Sequence, residues 1–247
     1  DVMSASWRDD IVAWYENDGA ASPTFEEHVI TTKHDNPHHV ASADLDGDED
    51  LDVLVASLRD NTVAWYENDG AAPPTFPRND ISVTTQRAEW ATSADLDGDQ
   101  DLDVLSASRE DDTVAWYEND GAASPTFTKH VITDEALAAR SVASADLDGD
   151  DDLDVLSISV FDNMVAWYEN DGATSPTFTT QQVISNFGSY RSAVSVASAD
   201  LDGDQDVDVL SAYLNDDTVA WYENDGAASP RFTMRIITTT AHTASFV

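Results

Sequence analysis

Apolar residues recur along this chain in short runs of small or β-branched side chains, each closed by a polar turn. The third and fourth copies show the unit. A first strand, Val142-Ala143-Ser144-Ala145, enters an acidic loop, and a second, Asp154-Val155-Leu156-Ser157-Ile158-Ser159, leaves it. A polar hairpin such as Arg109-Glu110-Asp111-Asp112 leads to a third strand, Thr113 to Glu118. Asn119-Asp120-Gly121 then supplies turn chemistry, because Asp-Gly tolerates positive φ, and Thr126 to Ile132 forms the fourth strand. The near-continuous apolar runs of the first two strands are those of strands covered on both faces, and no useful helical periodicity competes.

The unit repeats. VAWYENDG occurs five times, from Val12, Val63, Val114, Val165 and Val219, with its tryptophans 51, 51, 51 and 54 residues apart. Four strands at such a period predict an all-β β-propeller with five four-stranded blades in a single domain, 1–247. The repeats run about 1–38, 39–89, 90–140, 141–194 and 195–241. Asp1 to Ser6 aligns with Asp52 to Ser57, and His242 to Val247 with His39 to Asp44. The expectation is a ring closed by N- and C-terminal strands sharing one blade, 242–247 completing the first repeat and removing its exposed edge. The competing reading is a piece of a larger ring.

Four loops carry the chemistry: ADLDGDEDLDVL from Ala43, ADLDGDQDLDVL from Ala94, ADLDGDDDLDVL from Ala145 and ADLDGDQDVDVL from Ala199. Alternating aspartates let one short loop aim several carboxylate oxygens at a point, which suits Ca²⁺ with its six to eight oxygen ligands. An EF-hand shares the opening but needs a Glu at position twelve and flanking helices. Position twelve here is Val55, Ser106, Ser157 or Ser211, and strands flank the loop.

With its D-x-D-x-D-x-x-x-D loop between first and second strands and its NDG…PTF segment, the whole chain resembles the FG-GAP and VCBS repeat families. These are calcium-loop propellers that include the head of integrin α subunits. The resemblance implies about four Ca²⁺ ions, bound by side chains one, three, five and nine and the carbonyl at seven. The side-chain ligands would be Asp44, Asp46, Asp48, Asp52; Asp95, Asp97, Asp99, Asp103; Asp146, Asp148, Asp150, Asp154; and Asp200, Asp202, Asp204, Asp208. Asp50, Asp101, Asp152 and Asp206 would give carbonyls. Position six, often Gly in the family, is Glu49, Gln100, Asp151 or Gln205.

Composition narrows the partners. The chain has 49 acidic and 11 basic residues in 247, a formal charge of −38, which disfavours nucleic acid because phosphate contact needs Lys and Arg. The four loops hold 22 of the acidic residues, and the excess outside them fits either a protein of salty water or an acidic extracellular calcium protein. There is no cysteine, hence no thiol chemistry, and no apolar run long enough to insert in a membrane. With no signal peptide in view, the sequence reads as a mature or trimmed chain. Elbow, zincin, P-loop and dinucleotide motifs are absent.

Counting strand reversals places the acidic loops and NDG turns on one face. The second-to-third-strand hairpins and the blade connections then lie on the other. The first face is nearly invariant between repeats, as a stability role predicts. The connections differ in every blade: TTKHDNPHH, SVTTQRAEW, TDEALAAR and SNFGSYRSAVS. Variable loops on a rigid scaffold carry binding. Seven of the eleven cations map there, with aromatics including Trp7, Phe161 and Tyr213. The ligand candidates are Trp90, Phe187, Tyr190, Arg191, His38 and His39, since rings with Arg and His stack on sugars or clamp carboxylates. The repeated Trp-Tyr pairs read as interblade packing, and His38-His39 alone is a weak transition-metal signal. The expectation is a secreted or cell-surface, Ca²⁺-stabilised module that is not an enzyme and recognises a glycan or extracellular protein. The alternatives are a lyase-like enzyme acting on polysaccharide and a structural module of an extracellular assembly.

Overall fold

The computed structural model describes residues 1–179, 181–186, 192–242 and 244. Nineteen strands and no helix occur among them. The first sheet holds β1 (Val2–Ser6), β2 (Ile11–Asn17) and β3 (Phe25–Thr31). The second is β4 (Pro37–Ala43), β5 (Asp52–Ser57), β6 (Thr62–Tyr66) and β7 (Arg78–Ser82). The third is β8 (Ala88–Ala94), β9 (Asp103–Ser108), β10 (Thr113–Asn119) and β11 (Phe127–Thr133). β12 (Ala139–Ala145), β13 (Asp154–Ser159), β14 (Met164–Tyr168) and β15 (Gln182–Asn186) make the fourth. β16 (Ala193–Ala199), β17 (Asp208–Tyr213), β18 (Thr218–Asn224) and β19 (Phe232–Thr238) make the fifth. Every sheet is an antiparallel meander in chain order, a blade. The inner strands touch in succession, β1 to β4 to β8 to β12 to β16. The expected closing strand, 242–247, lies largely outside the described residues.

Packing follows the repeat. All six residues of β5, β9 and β13 are buried, as strands sandwiched between neighbouring blades must be. Trp65, Trp116 and Trp167 are buried and join consecutive blades into shared apolar clusters, so the Trp-Tyr motif is core in those three copies, as expected, while Trp14, Tyr15 and Trp221 are half-buried. Trp116 meets the edge of Phe178 in the next blade, with ring centroids 6.5 Å apart. Tyr213, placed by sequence on the variable face, is buried in the core with its hydroxyl on that of Tyr222, because it ends a strand covered on both sides.

The inner strands begin earlier than the sequence suggested. Pairing jumps from Pro37↔Ser57 to His39↔Ala56, from Ala88↔Ser108 to Trp90↔Ala107, and from Ala139↔Ser159 to Ser141↔Ile158. His38, Glu89 and Arg140 are therefore β-bulge residues, and Val194 is their counterpart in β16. A bulge breaks the period-two pattern by which a strand is recognised and re-aims the extra side chain. His38, His39, Trp90 and Arg140 consequently belong to inner strands and not to connecting loops.

Candidate metal loops and the opposite face

Both turn systems lie where strand counting put them. Asn68 N–H donates to Asp52 Oδ1 at 2.8 Å, binding the NDG turn to the acidic loop, while Leu58 and Arg59 N–H donate to the connection carbonyls of Asn36 and Asp35 on the other face.

In each acidic loop the first aspartate organises the backbone. Asp44 Oδ1 accepts from Gly47 N–H at 2.8 Å and Oδ2 from Glu49 N–H at 3.0 Å, and the other loops repeat this. Position six adopts φ of 75°, 80°, 74° and 80° at Glu49, Gln100, Asp151 and Gln205. This is the left-handed conformation that glycine adopts without strain, which explains the glycine common there in the resembled families.

Carboxylate oxygens of Asp44, Asp46 and Asp48 lie within 4.8 Å of one another, as do those of Asp95, Asp97 and Asp99. Positions one, three and nine converge likewise in Asp146, Asp148, Asp154 and in Asp200, Asp202, Asp208. Oδ1 of Asp46 and of Asp148 is buried without a hydrogen-bond partner. A buried carboxylate oxygen left unpaired is costly, and these all-oxygen donor sets could hold a hard cation such as Ca²⁺. Burial, then the neighbouring fifth-position aspartate, raises the Asp46 and Asp97 pKa values.

The ninth aspartate ties its loop to the neighbouring turn. Asp52, Asp103 and Asp154 are almost wholly buried, and each bridges two backbone N–H groups, one in its loop and one in its NDG turn. Their pKa values are pushed up to about 7, because burial outweighs those hydrogen bonds. The turn asparagine then reaches the preceding blade. Asn119 Nδ2 donates to Leu45 O at 2.8 Å, Asn170 Nδ2 to Leu96 O at 2.8 Å and Asn224 Nδ2 to Leu147 O at 2.7 Å. One hydrogen-bond chain thus runs Asp52–Leu45–Asn119–Asp103–Leu96–Asn170–Asp154–Leu147–Asn224–Asp208–Leu201 through all four loops. Asn119→Ala orphans a buried carbonyl of another blade and is expected to cost about 2 kcal/mol. Asn68→Ala, whose Nδ2 meets only Leu51 O at 3.3 Å, should cost under ~1 kcal/mol. Equal losses in denaturant melts of the two variants would contradict the relay.

On the opposite face the bulge residues meet. His38 Nδ1 lies 2.9 Å from Glu89 O and 3.5 Å from Glu89 Oε2. Glu89 is only 2% exposed and takes Arg109 Nη1 at 3.1 Å. The Arg109 guanidinium lies over the ring of Phe161, 5.7 Å from its centroid. His39 stacks on Trp90 with centroids 3.7 Å apart, and its Nδ1 lies 2.9 Å from Ala91 O. Burial lowers its pKa to about 4, so it is neutral near pH 7. The structure therefore brings His38, His39 and Trp90 to one region. Phe187, Tyr190 and Arg191 lie outside the described residues. Sequence reasoning did not single out Glu89 and counted Arg109 and Arg140 only among the face's cations. The available signal was that the second and third inner-strand positions read His38-His39, Glu89-Trp90, Arg140-Ser141 and Val194-Ser195 before the repeated frame resumes.

Residues 1–55, 44–106, 95–157 and 152–211 match the FG-GAP-like repeat. The chain belongs to the FG-GAP-like repeat family. No curated protein sequence matches it. Among solved structures this FG-GAP repeat chain is similar to an Agrocybe aegerita lectin described as recognising non-reducing terminal N-acetylglucosamine. The identity is 18%, with 94% of this chain and 61% of the lectin covered, at a TM-score of 0.63. It is also similar to the V. cholerae biofilm matrix protein Bap1, at 15% identity over 96% of this chain and 37% of that one, TM-score 0.54. A Pseudomonas aeruginosa periplasmic gluconolactonase, PpgL, shares 17% identity over 93% of this chain and 67% of its own, TM-score 0.51. The chain thus spans under two thirds of the lectin and of Bap1. At these identities the likeness is one of fold, the β-propeller. No helix among the described residues is long and apolar enough to cross a membrane.

Proposed function

We propose that this chain is one extracellular propeller domain, stabilised by about four Ca²⁺ ions and without enzymatic activity, that binds a glycan through the face opposite its acidic loops. Asp44, Asp46, Asp48, Asp52 and their equivalents would hold the ions, with Asp50, Asp101, Asp152 and Asp206 lending carbonyls. Bound calcium would supply charge neutralisation and rigidity, not reaction chemistry. The observation that carries the binding role is the grouping of His38, His39, Glu89 and Trp90 from bulged inner strands with Arg109 from the β9–β10 hairpin, at the end of the blades where sequence differs from blade to blade. Aromatic faces beside charge-assisted hydrogen-bond donors are what sugar recognition uses. A glycan array probed in millimolar Ca²⁺ is expected to give a defined hit that Trp90→Ala abolishes in a variant whose far-UV circular dichroism shows it still folded, although Trp90 also packs on the core and its loss lowers the melting temperature. A blank array from demonstrably folded protein sinks the glycan reading and favours a protein partner.

A further inference from the structure

We infer that Arg140 anchors an anion subsite on this face, and that the anion is the carboxylate of a uronic-acid unit in the bound glycan. The inference rests on the glycan-binding reading above and specifies its ligand.

Arg140 is the bulge residue of β12 and is half-buried. Among the described residues its guanidinium has neither a hydrogen bond nor a carboxylate within ion-pair distance. That is anomalous in a chain where acidic residues outnumber basic ones 49 to 11. The part-buried arginines Arg78 and Arg109 sit on Asp80 and Glu89, at 2.7 and 3.1 Å. More exposed arginines are also paired: Arg59 with Asp35, Arg87 with Glu110, Arg235 with Glu223. The described cations that lack an acidic partner, Arg8, Lys33, Lys129 and Arg231, are exposed to water, which solvates them. Arg140 alone of the described cations is withdrawn from solvent without compensation.

Its surroundings sharpen the point. Glu89 is near enough to favour the Arg140 charge, but Arg109 already holds Glu89, and Arg109 in turn disfavours that charge. Burial is the largest influence and lowers the pKa. With Arg109 on Glu89 and Arg140 under the influence of both, one positive charge of these three groups is left unmatched. A planar carboxylate fits a guanidinium fork through two parallel hydrogen bonds, and such pairs strengthen where water is partly excluded. Phe161, 69% exposed and beneath Arg109, offers an apolar ring to the sugar carrying that carboxylate.

The test is calorimetric titration in millimolar Ca²⁺ with a glucuronic-acid-containing oligosaccharide and with its carboxyl-reduced, neutral counterpart. The wild-type chain is expected to bind the acid about tenfold or more tighter than the neutral sugar, the worth of one charge-assisted pair. Arg140→Gln should lose that preference and keep the weak neutral binding, while Arg140→Lys, retaining charge but not the fork, should keep part of it. Removing an uncompensated charge should leave the Arg140→Gln melting temperature at or above that of wild type. If this variant does not fold, the partial preference of Arg140→Lys decides. Equal affinity for acid and neutral sugars overturns the anion subsite and leaves glycan binding standing. No binding of either overturns both. A full preference surviving in Arg140→Gln places the anion elsewhere and overturns the inference.

Discussion

Transferred from millimolar Ca²⁺ into EDTA, the chain is expected to melt about 20–40 °C lower. A site held at about 100 times its Kd contributes ~2.7 kcal/mol, and a domain of this size shifts by ~2–4 °C per kcal/mol. Four loops acting together give the figure. The physical source is the cluster of like charges each loop holds within 4.8 Å, with Asp46 Oδ1 and Asp148 Oδ1 buried and unpaired. The pH dependence separates this from a generic salt effect. In EDTA, Asp52, Asp103 and Asp154 have pKa values of about 7, well above their value in an unfolded chain. Folding then favours the protonated form, so their contribution to stability is complete below pH ~4 and is lost as pH rises through about 7. The metal needs those groups ionised. The gap between calcium and EDTA melting temperatures is therefore expected to widen from pH 5 to pH 8. A melting temperature indifferent to chelation at pH 8 ends the calcium assignment.

Asp103→Ala and Asp97→Ala are expected to behave alike in their calcium response and differently without calcium. Both remove a carboxylate from the second loop. In EDTA, however, Asp103→Ala also strips the acceptor from Leu96 N–H and Asn119 N–H, 3.0 and 2.9 Å away, in a position almost without solvent. Two orphaned buried donors cost about 3 kcal/mol or more, so a fall of roughly 6–12 °C is expected. Asp97 accepts only one long bond, 3.3 Å from Asp99 N–H, and repels its neighbours. Its loss in EDTA should be neutral or slightly stabilising. Thermal melts of both variants with and without Ca²⁺ decide the matter, and equal destabilisation in EDTA would refute the double role of the ninth position.

Much of this was legible in the chain itself. Local chemistry repeated four or five times fixes element type, so VAWYENDG and the acidic loop marked third strands, turns and carboxylate clusters without reference to anything distant. Strand reversal then placed both turn systems on one face. The bulges were not legible. His38, Glu89 and Arg140 occur once per inner strand, and a one-residue insertion erases the alternation by which a strand is read. Nor was Tyr213 placed correctly, because its burial comes from Tyr222 and the blade packed over it.

Sequence alone therefore determined the blade, its count of five repeats and the acidic clusters, since these depend on contacts within a few residues or within one repeat. Only the tertiary structure decided what passes between repeats. Asn119 crosses to Leu45 in the preceding blade, Arg109 neutralises Glu89, and Arg140 is left without an acidic partner among the described residues. Those outcomes turn on which side chains adjacent blades press together, and a repeat period carries no record of that.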